Sequence, residues 1–501
     1  MSLRSFTLFD RIERNARLHG QRTAYRADGV RVTHAEYAQR VQRLSCGLAA
    51  AGVSAGDRIA IVAHNGALYL DLFGAAARLG AIVVPVNWRL AADEVAHVLA
   101  DTAPRVVIAA PDLLASLANA DLSAMRTFSA GVDAAGWPAA ATLYRDGAAP
   151  PPAVIDDTAG LLIVHTAAVG GKARGALLSH HGLLEGAARA AQGWGLTPQD
   201  VHVGVLPLFH IAGIAMWMAL QATGGSTIVM PRFDPKAVVE AIEREGGSVM
   251  GSFPPMLTGV LDVAAAAGSA LKALRVVSGL ESPETLARFA AACPHADFWV
   301  GYGQTETSGS ISTARLSERP GSAGIPVDGH VVAIVDDEDD LLSTGATGEI
   351  VVRGPMVFLG YWQRDPDNAF TLRNGWHHTG DMGRLDADGY LWYMGRSPAK
   401  ELIKPGGENV YPAEVERTLA EHPAVAAAVV FGVPDAQWGE AVKAVCEARP
   451  GTSVASEALI EFVGQRIARY KKPKHVVFVE RLPRTAAGAV DRAAVKAAHG
   501  G

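Results

Sequence analysis

Residues 58–86 read RIAIVAHNGALYLDLFGAAARLGAIVVPV. Arg58 to Ala63 is an apolar run of strand length, Ala67 to Leu79 is helical, and Ala81 to Val86 is the next strand. A strand, a helix and a second strand in this order form the repeating unit of a parallel sheet, because parallel neighbours need a crossover between them. The alternation extends outward. Tyr37 to Ala51 carries apolar residues at helical spacing, Gly52 and Gly56 bracket a turn, and Arg105 to Ala109 is a further strand. The expected class is α/β: a large N-terminal domain of parallel sheets with helices on both faces.

The pattern changes near Gly321. Val331 to Val335, Gly348 to Arg353 and Tyr390 to Met394 are short strands separated by Asp, Gly and Asn turns, which fits a small β-rich subdomain. After Gly395 the chain becomes a compact α+β unit: a helix from Pro412 to Leu419, a strand from Val425 to Val433 and a helix from Ser456 to Ile467. The boundary falls near Lys400, giving a large domain over 1–399 and a small domain over 400–501. There is no internal repeat.

Bulk properties narrow the classes. The chain has 501 residues, too many for one ordinary domain, and nearly half are hydrophobic. The net charge of −6 gives no reason to expect nucleic acid as a partner. Cys46, Cys293 and Cys446 are far apart and form no CxxC pair, so neither a disulfide framework nor a zinc site is expected. That usage fits a reducing cytoplasm. The N-terminus shows no apolar signal core, and no stretch is long and apolar enough to span a membrane.

Four stretches carry chemistry. Thr166 to Gly175 (TAAVGGKARG) follows the apolar strand Gly160 to Val164. Its Gly170-Gly171 pair lets backbone N–H groups face one concavity, and Lys172 and Arg174 supply positive charge for phosphate. It is not a Walker loop, since no Ser or Thr follows Lys172. Gly301-Tyr302-Gly303-Gln304-Thr305-Glu306 follows a strand, where an α/β sheet presents ligands. Tyr302 can stack on a purine, Thr305 can donate to a phosphate and Glu306 can hold a hard cation. In His378-Thr-Gly-Asp381 a carboxylate on a turn can accept from both ribose hydroxyls. Gly406-Gly407, between the cationic stretch Lys400 to Lys404 and a helix start, offers a flexible joint or a close backbone approach to a ligand. Each stretch taken alone also reads as an ordinary turn. Gly52-Val-Ser54-Ala-Gly56 matches a serine-hydrolase elbow in letters only, because a helix precedes it and a strand follows.

Together the four resemble the adenylate-forming superfamily of acyl-CoA synthetases, fatty-acid–CoA ligases, 4-coumarate–CoA ligases, luciferases and peptide-synthetase adenylation domains. The resemblance runs from Val32-Thr-His-Ala-Glu-Tyr37 and Pro85-Val-Asn-Trp-Arg89, through Leu206-Pro-Leu-Phe-His210 and Gly348 to Trp362, to Lys400 to Glu416 (KELIKPGGENVYPAEVE). It implies that a carboxylate attacks the α-phosphate of ATP, giving an acyl-adenylate and pyrophosphate, and that the CoA thiol then displaces AMP. It implies Mg²⁺ on Glu306, phosphate contacts from Thr305, Thr166 and Arg174, and adenine between Tyr302 and the Ser278-Gly279-Leu280-Glu281 turn. Asp381 would bind ribose, Arg396 ribose or phosphate, and Lys400 would be the hinge. Lys404 and the Gly406-Gly407-Glu408 loop would serve the thioester step, and His210, with Gly301, would line or gate the acyl pocket.

The chain departs from that pattern in two main places. The glycine loop has lost its middle hydroxyls, and Arg174 stands where the family has lysine. Near the C-terminus, Leu482-Pro-Arg-Thr-Ala-Ala-Gly488 is followed by Ala489 where the family has a lysine. If that lysine supplies ordinary electrostatic stabilisation, its loss slows adenylation about 10²–10³-fold. Three readings stay open: an engineered Ala489; another cation in its place, from Lys471, Lys472, Lys474 or Lys496; or lost adenylation. Transfer to a separate carrier-protein thiol and a non-catalytic nucleotide or acyl-CoA binder also stay open, as does a homodimer. The pocket stretches Thr307 to Ser312 and Phe253 to Met256 lean towards an apolar fatty or aromatic acid over acetate.

Overall fold

The computed structural model describes residues 5–147, 150–166, 172–396, 401–485 and 490–500. Gly170, Gly171, Lys400 and Ala489 lie outside the described residues. The opening stretch folds as its pattern requires: strand Arg58–Val62, helix Ala67–Leu79 and strand Ile82–Pro85, with the two strands parallel and adjacent.

Among the described residues there are four sheets. A seven-stranded sheet holds Arg58–Val62, Ile82–Pro85, Val106–Ala109 and Arg126–Ser129 in parallel with Gly160–Thr166. The hairpin partner Arg174–Ser179 and the short Gly360–Tyr361 close one edge antiparallel. A nine-stranded sheet has six parallel strands in its middle, from Asp297–Gln304 across to Thr23–Ala27. A five-stranded antiparallel sheet contains Val331–Val335, Gly348–Arg353 and Trp376–Leu385, with Leu391–Arg396 paired to the last. The C-terminal sheet is small, with Val425–Asp435, Gly439–Ala448 and His475–Val479.

Helix Ala67–Leu79 is buried from Tyr69 to Leu79, and it packs with Leu8–His19, His34–Ala50 and strand residues of both large sheets in one core. One carboxylate, Asp71, sits inside that apolar helix. It accepts from the hydroxyls of Tyr25 at 2.7 Å and Tyr144 at 2.6 Å and from Arg40 Nε at 2.9 Å. A buried charge is tolerated only with such partners. The C-terminal unit has its own clusters, around Ile403, Val430 and Leu459 and around Phe431 and Val495.

No described cysteine is disulfide-bonded: Cys293 and Cys446 are buried and Cys46 is partly covered. Burial pushes the Cys446 thiol up to about 12. No helix among the described residues is long and apolar enough to cross a membrane. Ser54 lies in the turn between helix and strand, its hydroxyl donating to Asp57 at 2.9 Å.

Two local readings change. Gly301 to Gln304 is not a turn but the last part of strand Asp297–Gln304, paired with Gly309–Arg315. Asp381 is not on a loop: it lies mid-strand in Trp376–Leu385 and is 1% exposed. The turn chemistry of Thr-Gly is spent inside the sheet, where Thr379 Oγ1 donates to the Ile350 carbonyl at 2.6 Å and Gly380 N–H to Glu349 at 2.6 Å.

Candidate active site

A cavity of about 920 Å³ opens where the strand ends of the two large sheets, the β-rich sheet and the C-terminal unit converge. Thr166, Arg174, Tyr302, Gly303, Thr305, Glu306, Asp381, Arg396, Lys404, Gly406, Gly407, Glu408, His210, Gly301, Gly279 and Leu280 all line it. Residues up to 242 positions apart in the chain, Thr166 and Glu408, are thus brought together. Among the sequence candidates that can be described, Glu281 and Lys172 do not line it.

At one end, Glu306 occupies the single turn Thr305–Thr307 that stops the strand before it. Its Oε1 accepts from Thr166 Oγ1 at 3.1 Å and from Tyr361 OH at 2.8 Å. Burial, then the Glu306 charge, push the Tyr361 phenol far above its ordinary range, so it remains a donor. The Arg174 guanidinium lies 3.9 Å from the centre of the Tyr361 ring and pairs with Asp367 at 2.7 Å. Lys172 is exposed. Among the described residues no group of three or more His, Cys, Asp or Glu side chains could hold a metal. Glu306 Oε1 sits between the hydroxyls of Thr166 and Tyr361.

Beside it, Asp381 Oδ2 accepts from Tyr302 OH at 2.7 Å and Gln304 Nε2 at 2.6 Å. Arg396 Nε is 3.2 Å from Oδ1, close enough for charge attraction but not aligned as a hydrogen bond. Oδ1 is a buried acceptor with no donor, which suits a hydroxyl arriving from a ligand. Tyr302 lines the cavity with only 7% of its surface exposed and stacks on Tyr393 with ring centres 6.0 Å apart. One expectation needs correction here. Glu281 turns inward, accepting from Ser252 Oγ at 2.5 Å and Leu257 N–H at 3.3 Å, so it braces the turn and contributes nothing to the cavity wall. Gly279 lines the cavity, and a Cβ there would fall 1.9 Å from the Ser252 carbonyl oxygen of the adjacent strand.

At the other end the C-terminal unit inserts Gly406, Gly407 and Glu408. The glycine pair is packed rather than slack: Gly406 N–H donates to the Trp438 carbonyl at 2.9 Å. Glu408 pairs with Arg89, and its Oε2 is 3.2 Å from His210 Nε2. Burial works against its charge, but His210 and then Arg89 outweigh it and hold Glu408 down at about 2. Lys404 projects into the cavity, where loss of water, then the Arg396 charge, lower its pKa. A second clasp lies outside the cavity. Lys471 is buried between Glu94 and Glu414, the latter at 2.9 Å, and Ala468 N–H donates to Glu94 at 2.9 Å.

That clasp bears on the missing lysine. Lys471 is engaged with two carboxylates, Lys474 with Asp435 and Lys496 with Glu401. None of these, nor Lys472, lines the cavity; among the described residues Lys404 does. Sequence reading missed Tyr361 and Arg89, which stand inside the quoted blocks GEIVVRGPMVFLGYW and PVNWR, and it missed Gln304 and Tyr393. Their roles depend on partners more than 50 positions away, which no local pattern displays.

The AMP-binding enzyme family matches residues 12–362, and its C-terminal domain matches residues 414–489. This chain belongs to the AMP-binding enzyme family. It is accordingly an AMP-forming acid–thiol ligase, using ATP and CoA. An indoleacetate–CoA ligase of Aromatoleum aromaticum is 37% identical over 96% of this chain and 95% of that protein. A feruloyl-CoA synthase of an Amycolatopsis species is 35% identical over 96% of this chain and 97% of its own. The solved amide bond synthetase McbA from Marinactinospora thermotolerans superposes with a TM-score of 0.89, at 27% identity, over 99% of this chain and 100% of that one.

Proposed function

We propose that this ligase activates an aromatic or similarly bulky apolar carboxylic acid, and that the residues above divide its two half-reactions between them. The supporting observation is the wall between the two polar ends. Gly186, Ala190, Ala212, Ala215, Gly301 and Gly309 contribute almost no side-chain volume there, and Val300, Met216, Trp194 and Phe233 are apolar. Small residues together with apolar ones leave room for a ring. The relatives named for ferulate and indoleacetate favour the same class.

In the first half-reaction the acid's carboxylate oxygen attacks the α-phosphorus of ATP and pyrophosphate leaves. Thr166 and Thr305 donate to phosphate oxygens, Arg174 adds a fixed cation, and Asp381 Oδ1 accepts from ribose with Arg396 beside it. Glu306, a carboxylate between two hydroxyls, suits Mg²⁺, which commonly takes one or two protein carboxylates and completes its shell with phosphate and water. Bound there, Mg²⁺ would neutralise phosphate charge. In the second half-reaction the CoA thiol sulfur attacks the acyl carbon and AMP leaves. Lys404 and the Gly406-Gly407-Glu408 loop are at that end.

The reading divides the chain into 1–399 and 400–501, with Lys400 as the hinge of a mobile C-terminal domain. The cytoplasm is the proposed compartment. The test is AMP and acyl-CoA release from ATP, Mg²⁺ and CoA with short, long and aromatic acids, run beside an Ala489→Lys variant. Turnover of aromatic acids by the unaltered chain supports the reading in full. Turnover only by the lysine variant places the defect in adenylation. Acetate preferred over every aromatic acid sinks the substrate class. A Lys400→Pro variant that slows both half-reactions equally would count against the hinge.

A further inference from the structure

Helix Ala92–Thr102 turns Val95, Val98 and Leu99 into the core. Glu94, His97 and Asp101 are spaced three and then four residues apart, so they form a polar stripe beside that face. Each member of the stripe holds a different part of the active-site frame. Glu94 takes Lys471 and the Ala468 N–H from the C-terminal unit. His97 Nε2 is 2.9 Å from the carbonyl of Ala173, the residue before Arg174. Asp101 Oδ2 is 3.1 Å from Nε2 of His165, the residue before Thr166, and its Oδ1 accepts from Arg364 at 2.6 Å.

The connection to the cavity is short. His165 pairs across the hairpin with Gly175, and Thr166 with Arg174. The His165 ring lies over Gly175, where a Cβ would come within 3.2 Å of Cε1. The helix therefore grips the rung next to the one that carries Thr166 and Arg174. The Asp101 and His165 side chains are 5% and 7% exposed. A carboxylate buried that deeply has its partners fixed, because leaving any of them unmade is costly. None of Glu94, His97 and Asp101 lines the cavity, so each acts through another residue.

We propose that helix Ala92–Thr102 is a strut: Asp101 and His97 are positioning residues that hold Thr166 and Arg174 against Glu306, and Glu94 fastens the docked C-terminal unit to the same rigid element. A helix carries displacement along its axis with little loss, and Glu94 to Asp101 spans about 10 Å. Docking at one end is thereby felt at the ATP end. The inference rests on reading Thr166, Arg174 and Glu306 as the phosphate end of the cavity.

The test uses the full chain and steady-state AMP release. A wild-type chain with no ATP-dependent release would count against that functional reading and not against the strut. In an active chain, Asp101→Asn is expected to raise KM for ATP about tenfold while KM for CoA stays within about twofold. His97→Ala, at a half-buried position that folding tolerates, should raise KM for ATP about threefold, and His97→Gln, which keeps a donor for Ala173, should restore it. Combining Glu94→Gln with His97→Ala should give a KM for ATP that differs more than about threefold from the product of the single effects. KM for ATP within about twofold of wild type in both Asp101→Asn and His97→Ala would overturn the positioning role. Strict multiplication of the single effects would overturn the tie to the C-terminal unit. If Asp101→Asn does not fold, the His97 pair decides alone.

Discussion

The two ends of the cavity are built differently. The end around Glu306 and Asp381 comes wholly from residues before position 397, on strands of packed sheets, and its polar groups hold one another through hydrogen bonds of 2.6–3.1 Å. The end around Glu408 is assembled from two units, with Arg89 and His210 from one and Glu408 from the other. On the proposal that the C-terminal domain moves, the first end is preorganised without it and the second would exist only in the docked arrangement. The comparison teaches that a substitution at the first end should damage stability and nucleotide use together, whereas one at the second should damage a single half-reaction.

The strongest way to break this contrast is Asp381→Ala. Read as a loop carboxylate it would cost activity alone. In mid-strand, its loss leaves Arg396 and Tyr302 OH without their partner. We expect ATP-dependent activity to fall about 10²–10³-fold and stability to drop about 3–5 kcal/mol, checked by AMP release and chemical denaturation. Unchanged stability would show that the first end is softer than its hydrogen bonds suggest.

Glu408→Gln should come next. Thioester formation from a preformed acyl-adenylate should slow about tenfold or more, while pyrophosphate release in single turnover changes less than about threefold. The pH dependence has a definite sign. Glu408 is held at about 2 against an ordinary 4.5, so its contribution is complete above 4.5 and is lost as pH falls towards 2. Acid titration of docking should lose that component in the Gln variant.

A smaller effect is expected for Lys471→Met. It leaves Glu94 and Glu414 facing each other without a cation, so the docked arrangement should weaken and thioester formation should slow by several-fold, with KM for the acid unchanged. The smallest effect belongs to Lys172→Ala. Lys172 is exposed, and its replacement should shift stability by less than about 0.5 kcal/mol and KM for ATP by less than about threefold. A large rise in that KM would mean that the phosphate end draws on a charge outside the preorganised set.

The sequence revealed the fold and the members of the site more readily than their partnerships. Helix Ala67–Leu79 was legible to the residue because an apolar run between two glycines has few alternatives. Thr305, Glu306 and Asp381 were legible as chemistry-bearing letters in short motifs. The strand position of Asp381 was not, since Thr-Gly-Asp favours a turn locally and the fold absorbs it as an irregularity in the register with Gly348–Arg353, with Gly380 at φ 68°. Glu281 was misplaced for a related reason: a carboxylate beside a glycine turn looks available, and only the fold shows Ser252 and Leu257 already holding it. Tyr361, Arg89 and Lys471 matter through distant contacts, and a single sequence carries no trace of those.

The burial of Cys446 has a use of its own. A thiol pushed up to about 12 is almost wholly protonated at neutral pH, and labelling reagents attack the thiolate. Cys446 therefore reacts only in the moments when the strand Gly439–Ala448 opens, and Cys293 keeps the same kind of clock inside the nine-stranded half of the molecule. Timing the two side by side in one tube would give separate opening rates for each part of the chain, with no label, tag or substitution introduced beforehand.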